Sequence, residues 1–220
     1  MSTVANRKEF TKAVRLLQKY TGLIQAGKAT ANTYFQRGTI HQQLRMLEAA
    51  LKDYDAALSA HPTLDTQTLA LIFDSGNTCQ RDLGRYHEAV IAGREAVRLA
   101  PHQWEYHVNL VISQYGAGDY EGTLADVDAA LELCPDNSQL WSLRGWSHYQ
   151  LGDLESALDE FNESLIKEEI ANTFLGRGLV YYAVGHEVAA QADFDQFASL
   201  HPAGPDAASR ELARYIGGAD

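Results

Sequence analysis

The chain has 220 residues, of which 45% are hydrophobic, and a formal net charge of −11 from 18 basic and 29 acidic side chains. This acidic balance argues against nucleic acid or an anionic membrane as the main partner, because either would require a basic face. The N-terminal sequence MSTVANRKEFTKAVRLLQKY is too polar for a signal peptide, and no apolar run could span a membrane, so we expect a cytoplasmic protein.

Helical segments are predicted from one end of the chain to the other. Residues 6–25 form a helix without an earlier partner, which favours a capping role. Related blocks follow, such as GRYHEAVIAGREAVRLAP and GDYEGTLADVDAALELCP, and a period of roughly 34 residues is typical of stacked helical hairpins. A last helix over 205–216 would cover the final hairpin. The predicted hairpins span about 31–64, 66–102, 104–137, 138–170 and 171–202.

The spacing of apolar residues inside the blocks is helical. Leu47, Ala50, Tyr54 and Leu58 illustrate this spacing, and no segment sustains the alternation of a half-buried strand. The sequence therefore predicts an all-α fold without a sheet.

The blocks share a pattern of large, small and turn residues. The large residues of the first helices are Tyr34, Ile72, His107, Trp141 and Phe174, and the small or packing residues four positions later are Gly38, Gly76, Val111, Gly145 and Gly178. Glycine occupies the turn at Gly84, Gly118, Gly152 and Gly185, with Arg45 in the first block. The second helices carry the aromatics Tyr54, Phe161 and Phe194, whereas Gly93 and Val127 depart from the pattern, and Pro62, Pro101, Pro135 and Pro202 close four blocks.

This pattern resembles the tetratricopeptide repeat (TPR) over about residues 31–202. The resemblance implies one domain over 1–220, a right-handed α-solenoid of about five TPR hairpins with capping helices at both ends. It also implies a non-catalytic adaptor that binds a protein or peptide segment in its concave groove. The alternative is a structural scaffold subunit that self-assembles as a homo-oligomer or docks into a larger complex. No catalytic motif, metal site or cofactor motif is evident, so we expect no enzyme activity and no cofactor.

The concave groove of the family is lined mainly by the first helix of each hairpin. The residues that the resemblance places there are Phe35, Phe73, Asn77, Asn109, Tyr115, Trp146, Tyr149 and Tyr182. Two interpretations are open for them, because the aromatics suit either a ligand or internal packing, and the two asparagines suit either a peptide backbone or a neighbouring hairpin. Phe73, Gln139 and Leu143 stand where family members that bind carboxylates have basic residues, so we expect a neutral or mildly basic partner.

A second periodic feature pairs an arginine with an acidic residue 16 positions later. The spacing places the arginine on the first helix of a hairpin and the acid on the second, which predicts structural ion pairs. An acidic ligand for these arginines is the other interpretation. The predicted pairs are Arg37 with Asp53, Arg144 with Glu160, and Arg177 with Asp193.

Overall fold

The structure, a computed structural model, describes residues 2–60 and 64–216, and all regular elements within these ranges are α-helices. The prediction of an all-α fold is therefore confirmed. The expected closing residue Pro62 lies outside the described residues. The helices are α1 (Ser2–Gln25), α2 (Ala31–Gln43), α3 (Leu47–Ser59), α4 (Thr66–Asp82), α5 (Tyr86–Leu99), α6 (Trp104–Gly116), α7 (Tyr120–Leu133), α8 (Ser138–Gln150), α9 (Leu154–Lys167), α10 (Ala171–Ala183), α11 (Glu187–Leu200) and α12 (Pro205–Ile216).

The chain forms two compact units, the first ending at Ala117 and the second beginning at Gly118. In the first unit α1 packs on α2, the hairpins α2–α3 and α4–α5 stack on each other, and α6 packs on the second of them. In the second unit the hairpins α8–α9 and α10–α11 stack in the same way, α7 packs on α8, and α12 packs on α11. Stacked helical hairpins are what the repeated blocks predicted.

The turn between the helices of a hairpin requires a left-handed backbone. Gly84, Gly152 and Gly185 have φ values of 74°, 83° and 79°, which glycine adopts without the steric cost that a Cβ atom adds. Arg45 takes the same conformation at φ 60° in the hairpin α2–α3. We call these four the turn residues, and they provide a common origin for counting positions.

A glycine and an aromatic ring interlock in three hairpins. The glycine lies seven residues before the turn residue, and the ring nine residues after it. A Cβ atom on Gly38 would lie 2.7 Å from the ring of Tyr54, and one on Gly178 would lie 2.6 Å from the ring of Phe194. Phe161 stands in the same way against Gly145. The ring therefore occupies the space of the missing side chain, and the two helices approach closely.

The hairpin α4–α5 has this arrangement inverted. Asn77 lies seven residues before Gly84, and Gly93 lies nine residues after it. A Cβ atom on Gly93 would lie 2.8 Å from Nδ2 of Asn77, so the large side chain is now on the first helix. The prediction that Gly76 is the small residue of this helix is wrong by one position, because Gly76 lies eight residues before Gly84 and not seven. The large residue of this helix is accordingly Phe73 and not Ile72.

The three predicted arginine–acid pairs are in contact. Nε of Arg37 donates to Oδ2 of Asp53 at 2.8 Å, and Nε and Nη2 of Arg177 donate to the two oxygens of Asp193 at 2.8 Å each. These are charge-assisted bonds between the two helices of a hairpin.

The pair in α8–α9 differs in geometry. Nε of Arg144 and Oε2 of Glu160 are 2.8 Å apart but are not aligned as a hydrogen bond. Nη1 of Arg144 donates instead to Oδ1 of Asp128 at 2.7 Å. Arg144 therefore ties α8 to both α7 and α9.

The substitution Arg177→Ala should lower the free energy of unfolding by about 3 kcal/mol, because it leaves the Asp193 carboxylate, 4% exposed, without its cation. Arg98→Ala is the matched control, since Arg98 pairs with Glu95 at the surface and should change stability far less than Arg177→Ala does. Urea denaturation followed by circular dichroism measures both. Equal losses in the two variants would contradict this assignment.

Gly93→Phe should destabilise the chain, because the new ring would collide with Asn77. The double variant Asn77→Gly/Gly93→Phe restores the usual interlock and should recover at least about 1 kcal/mol of that loss. A double-mutant cycle from urea denaturation curves measures this coupling. Strictly additive single effects would show that Asn77 and Gly93 do not pack as a pair.

Candidate functional site

An open cleft lies in the second unit where α8 and α10 begin. Its volume is about 610 Å³, and it lies on the side formed by the first helices of two hairpins. The lining residues are Asp136, Asn137, Ser138, Gln139, Ser142, Leu143, Glu168, Ile170 and Asn172. We call this space the α8–α10 cleft.

Buried hydroxyl groups fix the floor of the α8–α10 cleft. Ser138 Oγ donates to Glu168 Oε2 at 2.8 Å, and Ser164 Oγ donates to the Ser138 carbonyl oxygen at 2.9 Å. Thr173 Oγ1 donates to Ser142 Oγ at 3.0 Å, which links α10 to α8. The cleft is thus held open by bonds between three helices and does not depend on a ligand for its shape.

The wall of the cleft combines amides with apolar side chains. Gln139 and Asn172 are exposed, and each amide can both donate and accept a hydrogen bond. Leu143 and Ile170 are half-buried beside them. Such a surface suits the polar backbone and one or two apolar side chains of an extended peptide.

The charges around the cleft are acidic. Asp136 and Glu168 belong to its lining, and none of the lining residues is a lysine or an arginine. Lys167 lies close by, with Nζ at 3.4 Å from Oδ1 of Asp136. The lining residues of the cleft therefore offer no positive charge to an acidic ligand.

Trp146 does not lie in an open groove. It is 3% exposed, and its ring contacts Tyr149, Phe161 and Tyr215 at centroid distances of 5.7, 5.6 and 6.1 Å. Burial raises the pKa of the Tyr149 hydroxyl, and the neighbouring Tyr215 raises it further. Because Tyr215 belongs to α12, the C-terminal helix covers this part of α8. Tyr182, by contrast, is 53% exposed.

In the first unit, two of the expected groove residues are buried and a third is half-buried. Phe35 is buried and stacks obliquely on Tyr54 at 6.3 Å, and Asn77 is fully buried. Phe73 is half-buried and packs on the cluster around Tyr106. The expectation that Phe35 and Asn77 line an open surface is therefore corrected.

The buried amide of Asn77 connects three helices. Its Nδ2 donates to the Ala89 carbonyl oxygen of α5 at 2.7 Å and to Ser113 Oγ of α6 at 2.9 Å. The sequence left two interpretations open for Asn77, a contact with a peptide backbone or with a neighbouring hairpin. The structure shows the second, through the hydrogen bond to Ser113.

Asn109 belongs to a polar group between α4 and α6. Its Nδ2 donates to Oδ1 of Asp74 at 2.8 Å, and its Oδ1 accepts from Nη1 of Arg81 at 3.3 Å. Burial raises the pKa of the Asp74 carboxyl above its usual range. Tyr115 is half-buried further along α6.

Comparison with protein families accounts for this architecture. Residues 31–63 and residues 108–171 each match a tetratricopeptide-repeat model. This chain is a tetratricopeptide-repeat protein. Members of the family are in general non-catalytic modules for protein–protein interaction. No curated protein sequence matches the chain significantly.

Several solved structures share the fold of the chain. YrrB, described as a TPR protein with an unusual peptide-binding site, has 20% identity and a TM-score of 0.67, over 90% of this chain and 97% of YrrB. MamA from Desulfovibrio magneticus RS-1 has 16% identity and a TM-score of 0.68, over 79% of this chain and 96% of that one. A thermophilic TPR protein from Thermus thermophilus, TTC0263, has 20% identity and a TM-score of 0.60, over 85% of this chain and 99% of that one.

Two further observations concern the described part of this TPR protein. None of its helices there combines the length and apolarity needed to cross a membrane. Within the same ranges, no cluster of three or more His, Cys, Asp or Glu side chains is arranged to hold a metal ion.

Tyr215→Ala should expose Trp146 and lower the free energy of unfolding by about 1 kcal/mol, because a ring contact with α12 is lost. The measurement is acrylamide quenching of Trp146 fluorescence in a Trp104→Phe/Trp141→Phe background, which leaves one of the three tryptophans.

Tyr182→Ala is the control for this experiment, since Tyr182 is an exposed tyrosine of the same unit. It should leave the quenching of Trp146 unchanged. Unchanged quenching in Tyr215→Ala as well would contradict the covering of Trp146 by α12.

Proposed function

We propose that this TPR protein is a non-catalytic adaptor that binds an extended segment of a partner protein in the α8–α10 cleft. The observation that carries the proposal is the cleft itself, a preformed space of about 610 Å³ with amides, hydroxyls and apolar side chains on its walls. Its position on the first helices of two hairpins agrees with the groove that the repeat family uses.

The chemistry of the cleft favours one class of segment. The amides of Gln139 and Asn172 fit the alternating donors and acceptors of a peptide backbone, so they fix its path without reading its sequence. Leu143 and Ile170 offer an apolar surface for one side chain of that segment. Specificity then depends on the apolar side chain and on the edges of the cleft.

The acidic edges favour a neutral or mildly basic segment. Asp136 and Glu168 would repel a C-terminal carboxylate or a phosphorylated peptide, and no lining residue would compensate that charge. The net charge of −11 acts in the same direction at longer range. An adaptor of this kind fits a cytoplasmic protein, which the polar N-terminal sequence also favours.

The covering of Trp146 by α12 limits the binding surface. In the second unit the aromatic part of α8 is occupied by Tyr215, whereas the cleft around Gln139 and Leu143 is open. The solved structure of YrrB is described by its peptide-binding site, and the likeness in fold makes a peptide a reasonable ligand class to test.

The proposal is tested with peptides selected from a random phage-displayed library on the wild-type chain. Leu143→Ala and Asn172→Ala should each weaken the selected peptides by about 1–2 kcal/mol in isothermal titration calorimetry, because each removes a contact in the cleft. Neither substitution removes a bond of the hydroxyl floor, so the melting temperature should change little.

Ile166→Ala is the matched control, because Ile166 is an apolar residue of the same unit, 75% exposed and outside the cleft. It should leave peptide affinity unchanged. Affinity should also change little with salt, since apolar and amide contacts dominate. Selected peptides that bind the Leu143→Ala and Asn172→Ala chains as tightly as wild type would refute the site.

A further inference from the structure

One pair of positions is filled by an arginine and an acid in three hairpins, and by two small residues in the fourth. The positions lie eight residues before and eight residues after the turn residue. They hold Arg37 and Asp53 around Arg45, Arg144 and Glu160 around Gly152, and Arg177 and Asp193 around Gly185. In α4–α5 the same positions around Gly84 hold Gly76 and Ala92.

The missing side chains leave a pocket in the first unit. Gly76 and Ala92 both line it, and a Cβ atom on Gly76 would meet nothing within 4 Å. The pocket has a volume of about 150 Å³ and opens between α3 and α5. The other lining residues are Leu51, Tyr54, Asp55, Leu58, Ile72, Phe73, Gln80, Glu88 and Ile91. We call it the α3–α5 pocket.

Gln80, one of the lining residues of this pocket, carries a buried hydrogen-bond acceptor without a partner. Gln80 is four residues before its turn residue, the position that His41 holds in α2–α3. His41 Nδ1 is 2.8 Å from Oδ2 of Asp53, so in α2–α3 that position belongs to the network of the arginine–acid pair. In α4–α5 the pair is absent, and Gln80 Oε1 is buried without a hydrogen bond. A buried carbonyl oxygen of this kind favours an occupant that brings an N–H donor.

The rest of the pocket specifies a donor with a long apolar stem and a positive charge. Leu51, Tyr54 and Ile72 supply apolar walls, while the carboxylates of Asp55 and Glu88 are exposed where they line the pocket. An arginine side chain combines these properties, because its methylene groups pack on apolar surface and its guanidinium group has five N–H donors. It can donate to Gln80 Oε1 and to a carboxylate at the same time, which an ammonium group does less well.

We propose that the α3–α5 pocket receives an arginine side chain from a partner protein, in the place where α2–α3, α8–α9 and α10–α11 hold an arginine of their own. The pocket lies in the first unit and the α8–α10 cleft in the second, so this site is independent of the peptide site proposed above.

The test uses the blocked tripeptides acetyl-Gly-Arg-Gly-amide and acetyl-Gly-norleucine-Gly-amide as probes of the full chain. In ¹⁵N–¹H spectra the arginine peptide should shift the amide signals around Gly76, Gln80 and Ala92 in a saturable way. A dissociation constant in the millimolar range is expected for one side chain. The norleucine peptide should bind at least about tenfold more weakly, because it brings no donor and no charge.

Two variants separate pocket binding from general attraction. Gly76→Arg fills the pocket from within and should abolish the shifts, whereas His87→Arg adds the same charge at an exposed position of α5 outside the pocket and should bind the peptide as wild type does. Gln80→Met keeps the bulk but removes the acceptor. It should weaken the arginine peptide about tenfold and leave the norleucine peptide unchanged.

Several results would overturn the proposal. They are equal binding of the two peptides, shifts that persist in Gly76→Arg, and the absence of any saturable shift around the pocket. Should Gly76→Arg fail to fold, Gln80→Met decides alone, and unchanged binding of the arginine peptide to that variant would refute the site. Leu143→Ala changes the α8–α10 cleft, so its effect on the selected peptides tests only the proposed function. The blocked tripeptides test only the α3–α5 pocket, and the failure of either proposal can therefore be recognised separately.

Discussion

The contact between an aromatic ring of the second helix and a glycine of the first sets the geometry of the hairpins. Where the ring of Tyr54, Phe161 or Phe194 lies against the backbone, the helix pair is close enough for an arginine to reach the acid facing it. The ion pairs are therefore consequences of the interlock, since they need two helices at a fixed separation before their hydrogen bonds can form. Stability in each unit is then gained hairpin by hairpin, because each hairpin contacts only its neighbours in the stack.

The inverted hairpin shows how different residues at equivalent positions change the chemistry of a surface. In α4 Asn77 occupies the interlock and Gly76 the position of the arginine, so the ion pair is absent and a pocket takes its place. In the same helix Asp74 lies opposite Asn109 and puts a carboxylate in a half-buried site. The hairpin α4–α5 thus resembles its neighbours in its turn but differs from them on the surface beside α3 and on the surface beside α6.

Much of this fold follows from local sequence signals. The turn glycines, the interlocking pairs and the 16-residue spacing of Arg37 and Asp53 predicted the hairpins and their ion pairs, because these features depend on neighbouring helices of one hairpin. The one-residue difference between the predicted and the observed positions in α4 was not evident, because Gly76 matches the small residue that the pattern requires. Counting from the turn at Gly84 gives the observed positions. The burial of Trp146 depends in part on Tyr215, and the place where α12 packs after a loop has no signal in the repeat pattern. Candidate groove residues were accordingly predicted less well than the framework that carries them.

The buried amide of Asn77 has a genetic consequence. Its Nδ2 needs both the Ala89 carbonyl oxygen within its own hairpin and the Ser113 hydroxyl of the next helix, α6. A gene duplication that copied α4–α5 in front of α2 or α10 would place Asn77 beside Ile40 or Val180, which stand five residues before their turn residues as Ser113 does before Gly118. One of the donors of Asn77 would then be buried without an acceptor. Arrays of interchangeable repeats grow and shrink by such recombination. This hairpin instead needs a following helix with a hydroxyl at that position, which α8 also has at Ser147.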